Sequence, residues 1–386
     1  MAGVLGLGEG GDAPIGNPSS VHVCGQRARN IVERARRAVA RSVGARPLDL
    51  VFTSSATEAD NLAVLGGVRA FSARGARCAI VTSPLEHPAV LGAVEQLVRE
   101  GHRRYLVEVD DRGRITKDAL VRVLKKAATQ PGTSATARAD QVVFVTLAAA
   151  NHELGNFYDI PEFVAVTRTI APQAVFHCDA VQAFGKRAID FAAWDVDLLS
   201  INAHKAYGPS GVGALVVRSG IELEPLLFGG PQEHGRRPGT ETPLLLAGFG
   251  AAASFAHEAI GQRFAHCDGL RRRLLAGLRA IDGAEVFGDT ERSTGNTVLV
   301  GFAGCDGQLV MINLDLLGFA VSTGAACSSG TMEPSPVLLA LGRDPAAARS
   351  AVRISLGKDS TADEVDALLA ALPEALARVR GGGALA

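Results

Sequence analysis

Seven short apolar runs, at 49–53, 78–82, 104–108, 141–146, 174–179, 198–200 and 212–217, most constrain how this chain folds. Helix-length segments separate most of them. The runs are continuously apolar rather than alternating, which is the signature of strands buried on both faces. A mostly parallel seven-stranded sheet covered by helices on both sides is therefore predicted, making the chain an α/β protein. Such sheets bind ligands beyond the carboxyl ends of their strands. At 386 residues the chain is too long for one core, so two domains are expected. The larger covers 17–250, and the smaller, of α+β type, combines 1–16 with 251–386. The smaller one is read from a helical stretch at 244–281, a strand at 297–300 and helices at 308–317 and 361–377. Thr361, followed by Asp363 and Glu364, predicts the start of the last helix. An amphipathic helix is read at 28–42, and a mobile surface loop at 127–140.

Charge excludes some partners. With 39 basic and 40 acidic residues the formal net charge is −1, so no global field attracts nucleic acid or an anionic membrane. The sequence shows no local basic patch that would do so instead. The six cysteines are widely scattered, with no C-x-x-C pair and no histidine at metal-ligand spacing, so neither a disulfide framework nor a metal site is expected. The Met1–Gly8 stretch lacks a basic leader ahead of an apolar run, and no later run reaches the roughly 18 residues needed to span a bilayer. The reducing cytoplasm is the expected location.

Two places carry reactive chemistry. Cys327 sits in Ser322-Thr323-Gly324-Ala325-Ala326-Cys327-Ser328-Ser329-Gly330, a run of small residues with no apolar face to bury the thiol, which makes it a candidate nucleophile. Asp179-Ala180-Val181-Gln182 ends one strand, and His204-Lys205 follows another. A lysine at a strand end suits Schiff-base chemistry, and a nearby aspartate suits keeping a pyridinium nitrogen protonated. Together they point to pyridoxal 5'-phosphate.

These residues belong to a longer series of ordered motifs: Gly16-Asn17-Pro18-Ser19-Ser20, Phe52-Thr53-Ser54-Ser55-Ala56-Thr57-Glu58, Glu86-His87, Asn151-His152-Glu153, Ala203-His204-Lys205, Gly239-Thr240-Glu241 and Arg353-Ile354-Ser355-Leu356-Gly357. From about Gly16 to Ala377 the chain resembles the group I cysteine desulfurases, which are class V aminotransferase-like, fold-type I pyridoxal-phosphate enzymes. The resemblance implies that Lys205 holds the cofactor covalently and then moves the substrate Cα proton. It implies that Asp179 pairs with the ring nitrogen, Gln182 bonds the ring phenolate oxygen, and His87 stacks on the ring. Ala56, Thr57, Asn202 and His204 are implied around the phosphate, with Thr240 arriving from the second subunit of a homodimer. Arg353, assisted by Asn151, is implied to clamp the substrate carboxylate. Cys327 is implied to take the sulfur of L-cysteine as a persulfide, release alanine and pass the sulfur to an acceptor protein.

The chain departs from the family pattern in several places. Only a Gly-rich stub precedes Gly16, Asn202 stands where serine is usual, His152 where asparagine is, Ala325 for a serine and Lys358 for an arginine. Two alternatives stay open: a selenocysteine or other C–S lyase on the same cofactor, and a degenerate sulfur-carrier or scaffold homologue.

Overall fold

The computed structural model describes residues 16–72, 77–129, 142–324 and 333–381. It divides into two compact units. The first comprises Met1–Val107, Lys117–Ala149 and Asp159–Ile260, and the second Glu108–Thr116, Ala150–Tyr158 and Gly261–Ala386.

The first unit is built on seven strands: β1 (Leu50–Thr53), β2 (Cys78–Thr82), β3 (Arg103–Leu106), β4 (Val142–Ala148), β5 (Val175–Asp179), β6 (Leu198–Asn202) and β7 (Gly213–Val217). Their order across the sheet is β1-β7-β6-β5-β4-β2-β3. The five strands from β6 to β3 run parallel, while β7 is antiparallel to both its neighbours. That reversed strand is not legible in the apolar runs, which carry no direction. Residues of β1, β2, β5, β6 and β7 are buried throughout, as continuous apolar runs require, and only the edge strand β3 is largely exposed.

Helical turns from Ala56 to Ser72 and the helix Pro88–Arg99 pack Leu62, Val64, Val90, Val94 and Leu97 against Ile80 and Phe144 of the sheet. The first helix is longer than predicted, running Val23–Ser42, because His22 caps it by accepting from the Gly25 N–H. Helix Pro243–Leu278 also corrects an expectation. It is long and apolar enough to cross a membrane by length and composition, since a span tolerates the two polar residues His257 and Glu258 that break the apolar run. Leu246, Phe249, Ala253 and Ala256 on one face are buried in protein, with Phe249 set 6.3 Å from the Phe52 ring and 6.0 Å from that of Phe184.

The second unit has a four-stranded antiparallel sheet of β8 (Ala284–Phe287), β9 (Thr297–Phe302), β10 (Ser322–Thr323) and β11 (Ala351–Ser355), in the order β10-β11-β9-β8. Helices Gly307–Leu316 and Ala362–Arg380 bury Val310, Leu314, Leu368 and Leu372 against Val300 and Val352. Thr361 caps the last helix in a reciprocal box with Glu364, as its sequence predicts. Of the predicted mobile loop, residues 130–140 lie outside the described residues.

Candidate active site

In the first unit the predicted residues gather where the parallel strands end. β1 leads to Ser54 and the helix start at Ala56, β2 to Glu86 and His87, β5 ends on Asp179, and β6 ends on Asn202. The reversed β7 begins at the same edge with Gly213. A Cβ there would lie 2.7 Å from the Ser55 carbonyl carbon and 2.9 Å from the Ala56 nitrogen, so only glycine lets the turn seat against β7. Ser55 caps that helix by accepting from the Glu58 N–H at 3.2 Å, and the first-turn N–H groups of Ala56 and Thr57 have no acceptor within the helix. Thr57 is exposed, so this end faces solvent and suits an anion.

Asp179 is buried, and its carboxylate accepts from the Val181 N–H at 2.9 Å. Burial pushes its pKa up to about 6, against the pull of that N–H and of the Lys205 charge. Lys205 lies in the single turn Ala203–Ala206, and Asn202 fixes the entry by accepting from the His204 N–H at 3.1 Å. With its carbonyl oxygen used, Asn202 offers its amide as the donor that serine would supply. Burial, then the Lys205 charge, lower the pKa of both His87 and His204. His87 caps the helix Pro88–Arg99 through Nδ1, which accepts from Ala89 N–H at 3.1 Å, so the neutral ring carries its proton on Nε2.

Three groups that sequence reasoning missed support these. Lys186 donates to Gln182 Oε1 at 2.6 Å, which turns the Gln182 amide nitrogen into the free donor end; the i, i+4 spacing was the available signal. His177, fully buried on β5, bonds Thr146 and Ser200 through its two ring nitrogens at 2.9 Å each, and burial drives its pKa down to about 3. It is a neutral strut one strand-period from Asp179. Glu233 accepts from both Arg36 terminal nitrogens, at 2.9 and 2.6 Å, and from the Phe52 N–H at 3.0 Å. This clamp holds Glu233 and His234 in the left-handed region, at φ of 48° and 57°, which costs backbone energy that the buried ion pair offsets. The same loop carries Arg237, paired with Glu58 at 2.8 Å, and ends in exposed Thr240.

In the second unit, Asn151 and Arg353 are brought together. Asn151 Oδ1 accepts from the N–H groups of Glu153 and Leu154 at 2.9 and 2.8 Å, folding a tight turn. Arg353 reaches from β11 to donate to the His152 carbonyl at 2.8 Å. Glu153 is buried beneath them. Burial raises its pKa, opposed by a bond from the Ser335 hydroxyl at 2.5 Å and by the Arg353 charge. A Cβ at Gly324 would lie 2.7 Å from the same Glu153 oxygen, Oε2. Gly324 and Ser335 flank the segment that holds Cys327, so Glu153 bonds the residue on one side of it and lies close to the residue on the other, a placement no local sequence signal discloses. Cys327 itself lies outside the described residues. Among the described residues no cluster of metal-ligating side chains occurs.

Residues 13–368 match the aminotransferase class-V family. A cysteine desulfurase of Gluconacetobacter diazotrophicus is 37% identical over 369 residues, covering 95% of this chain and 88% of that protein. An IscS-like cysteine desulfurase of Mycobacterium tuberculosis is 38% identical over 375 residues, covering 95% and 91%. Among solved structures, a NifS-like protein superposes with a TM-score of 0.83 at 33% identity, covering 94% of this chain and 92% of that one. A family match over this span, with relatives of this identity and coverage, means that the chain belongs to the class-V aminotransferases, which are pyridoxal-phosphate enzymes.

Proposed function

We propose that this chain is a pyridoxal-phosphate-dependent cysteine desulfurase, converting L-cysteine to L-alanine and handing the sulfur to an acceptor. The observation that carries the reading is the cluster of Asp179, Lys205 and His87 at the carboxyl ends of β5, β6 and β2. The cofactor's donor set fits: a first turn with open N–H groups for phosphate, a buried carboxylate for a ring nitrogen, and an amine whose charge acts on both Asp179 and His87. Bound there, pyridoxal phosphate supplies an electron sink for a carbanion at the substrate Cα.

The chain's own groups do the rest. Ala56, Thr57, Asn202 and His204 would hold the phosphate, and exposed Thr240 would reach a second copy, making the working unit a homodimer. Asp179, ionised above about pH 6, keeps the ring nitrogen protonated. Gln182 would donate to the ring oxygen, and His87 would stack on the ring. Arg353 grips the substrate carboxylate with its planar fork, beside Asn151. Lys205 removes and returns the proton at Cα. The Cys327 thiolate attacks the substrate sulfur; the S–S bond forms as the Cβ–S bond breaks, and the electron pair left on carbon is protonated on the way to alanine. The five free cysteines among the described residues agree with a reducing compartment, and we place the enzyme in the cytoplasm.

The test is incubation with pyridoxal phosphate and L-cysteine, following alanine and the mass of the Cys327 peptide. A sulfur-heavier peptide that vanishes on adding a thiol supports the reading. Steady sulfide release from Cys327→Ala would instead show direct elimination by a lyase.

A further inference from the structure

The helix Val23–Ser42 contains six arginines and one acidic residue, Glu33, in a chain whose net charge is −1. Arg36 is turned inward onto Glu233, and Glu33 is the second partner of that same arginine. Val23, Arg27, Asn30, Arg34, Arg37 and Arg41 follow one another at spacings of four and three, which places them on one face of an α-helix. All six are exposed. The buried residues Ala28, Val32, Ala35 and Val39 occupy the opposite face, so the stripe points away from the core. None of Arg27, Arg34, Arg37 and Arg41 has an acidic partner among the described residues. At 1.5 Å per residue the arginines extend over about 21 Å. The stripe begins in an apolar patch, with Val21 87% and Val23 63% exposed. A basic face was not expected from the sequence, because total charge hides it and only helical phase collects it.

We propose that this face docks an acidic protein surface, which in an enzyme that must deliver sulfur is the surface of the sulfur acceptor; the partner's identity, though not the face, rests on the desulfurase reading. Guanidinium groups pair bidentately with carboxylates, and uncompensated charge at a rim speeds encounter and selects partners. An apolar end beside a charged stripe is the composition of a protein-docking surface. Nucleic acid is disfavoured because the chain as a whole has a pI of about 6.8, whereas a nucleic-acid-binding domain carries a broad basic field. A membrane is disfavoured because the helix's own apolar face is buried in protein.

The test compares the full-length holoenzyme with a variant carrying Arg27→Gln, Arg34→Gln, Arg37→Gln and Arg41→Gln. The probe is a fluorescein-labelled helical peptide with glutamates at three- and four-residue spacing, read by anisotropy at low and high salt. Saturable binding that weakens about tenfold in the variant, and likewise on raising salt, is the expected result. Equal binding by both proteins, or none by either, overturns the proposal. So does tighter binding of a duplex DNA of equal length, or a change in the variant's oligomeric mass, which would make the face a nucleic-acid site or a contact between copies. Alanine release with dithiothreitol as sulfur acceptor is measured in parallel and stays within about twofold in the variant. Its absence from both proteins would sink the desulfurase reading while leaving the peptide result to judge the face.

Discussion

Two buried carboxylates that lie beside cations, one in each unit, are used differently. Asp179 in the first unit has a single backbone donor and the charge of Lys205, so burial dominates and its pKa rises to about 6. Glu153 in the second unit is also raised by burial, but it receives the Ser335 hydroxyl and lies against Gly324 and the Arg353 charge. Asp179 accepts one backbone hydrogen bond and can still accept from a cationic partner. The other is spent on its own chain, as a tether. Burial alone therefore does not mark a catalytic acid; the groups around the carboxylate decide its use.

The sharpest way to test that contrast is Lys205→Ala, which removes the cation facing Asp179 and the proton-moving amine together. Turnover is expected to fall by about 10⁴-fold, with loss of the visible absorbance of the covalently held cofactor. Asp179→Asn comes next, with a drop of about 10²- to 10³-fold at pH 8, because a neutral amide cannot hold the ring-nitrogen proton by charge. The same substitution has an opposite effect on the apoprotein. A carboxylate raised in the folded state contributes stability below its unfolded pKa and loses it as pH rises through about 6. Wild-type apoprotein should thus lose stability between about pH 4 and pH 6 through this group, and Asp179→Asn should be more stable at pH 8, by up to about 3 kcal/mol in urea unfolding. A variant no more stable than wild type would show that Asp179 is well solvated.

Arg353→Lys keeps the charge and loses the fork, so KM for cysteine should rise about 10- to 50-fold with kcat less affected, as steady-state kinetics will show. Glu153→Gln keeps the shape but weakens the hold on Ser335. Persulfide formation at Cys327, followed by peptide mass in single turnover, should slow about tenfold while the cofactor spectrum stays unchanged. A changed spectrum would contradict the separation of roles between the two carboxylates.

Much of this was legible in the chain. The strands of the parallel sheet were found because runs buried on both faces are apolar throughout, and the capping box at Thr361 was found because its signal spans four residues. Strand ends then pointed to Asp179 and Lys205, and the family resemblance added His87. The direction of β7 was not legible, nor was the role of Glu233, which stands 197 residues from Arg36, or that of Glu153, which stands 182 from Ser335. Contacts of that separation leave no periodicity to read. The arginine stripe is an intermediate case: its 4-3-4-3-4 spacing is written in the sequence, yet it becomes a face only once a helix is known to start at Val23 and to turn Arg36 inward.

By itself, then, the sequence determined the α/β architecture and the cofactor chemistry and nominated the reactive groups, because local periodicity and side-chain chemistry travel with the chain. Tertiary structure alone decided what surrounds each buried carboxylate, which glycine seats the turn after β1, and which arginines face solvent. Those outcomes depend on desolvation and on contacts between residues far apart in sequence, and both exist only after the chain has folded.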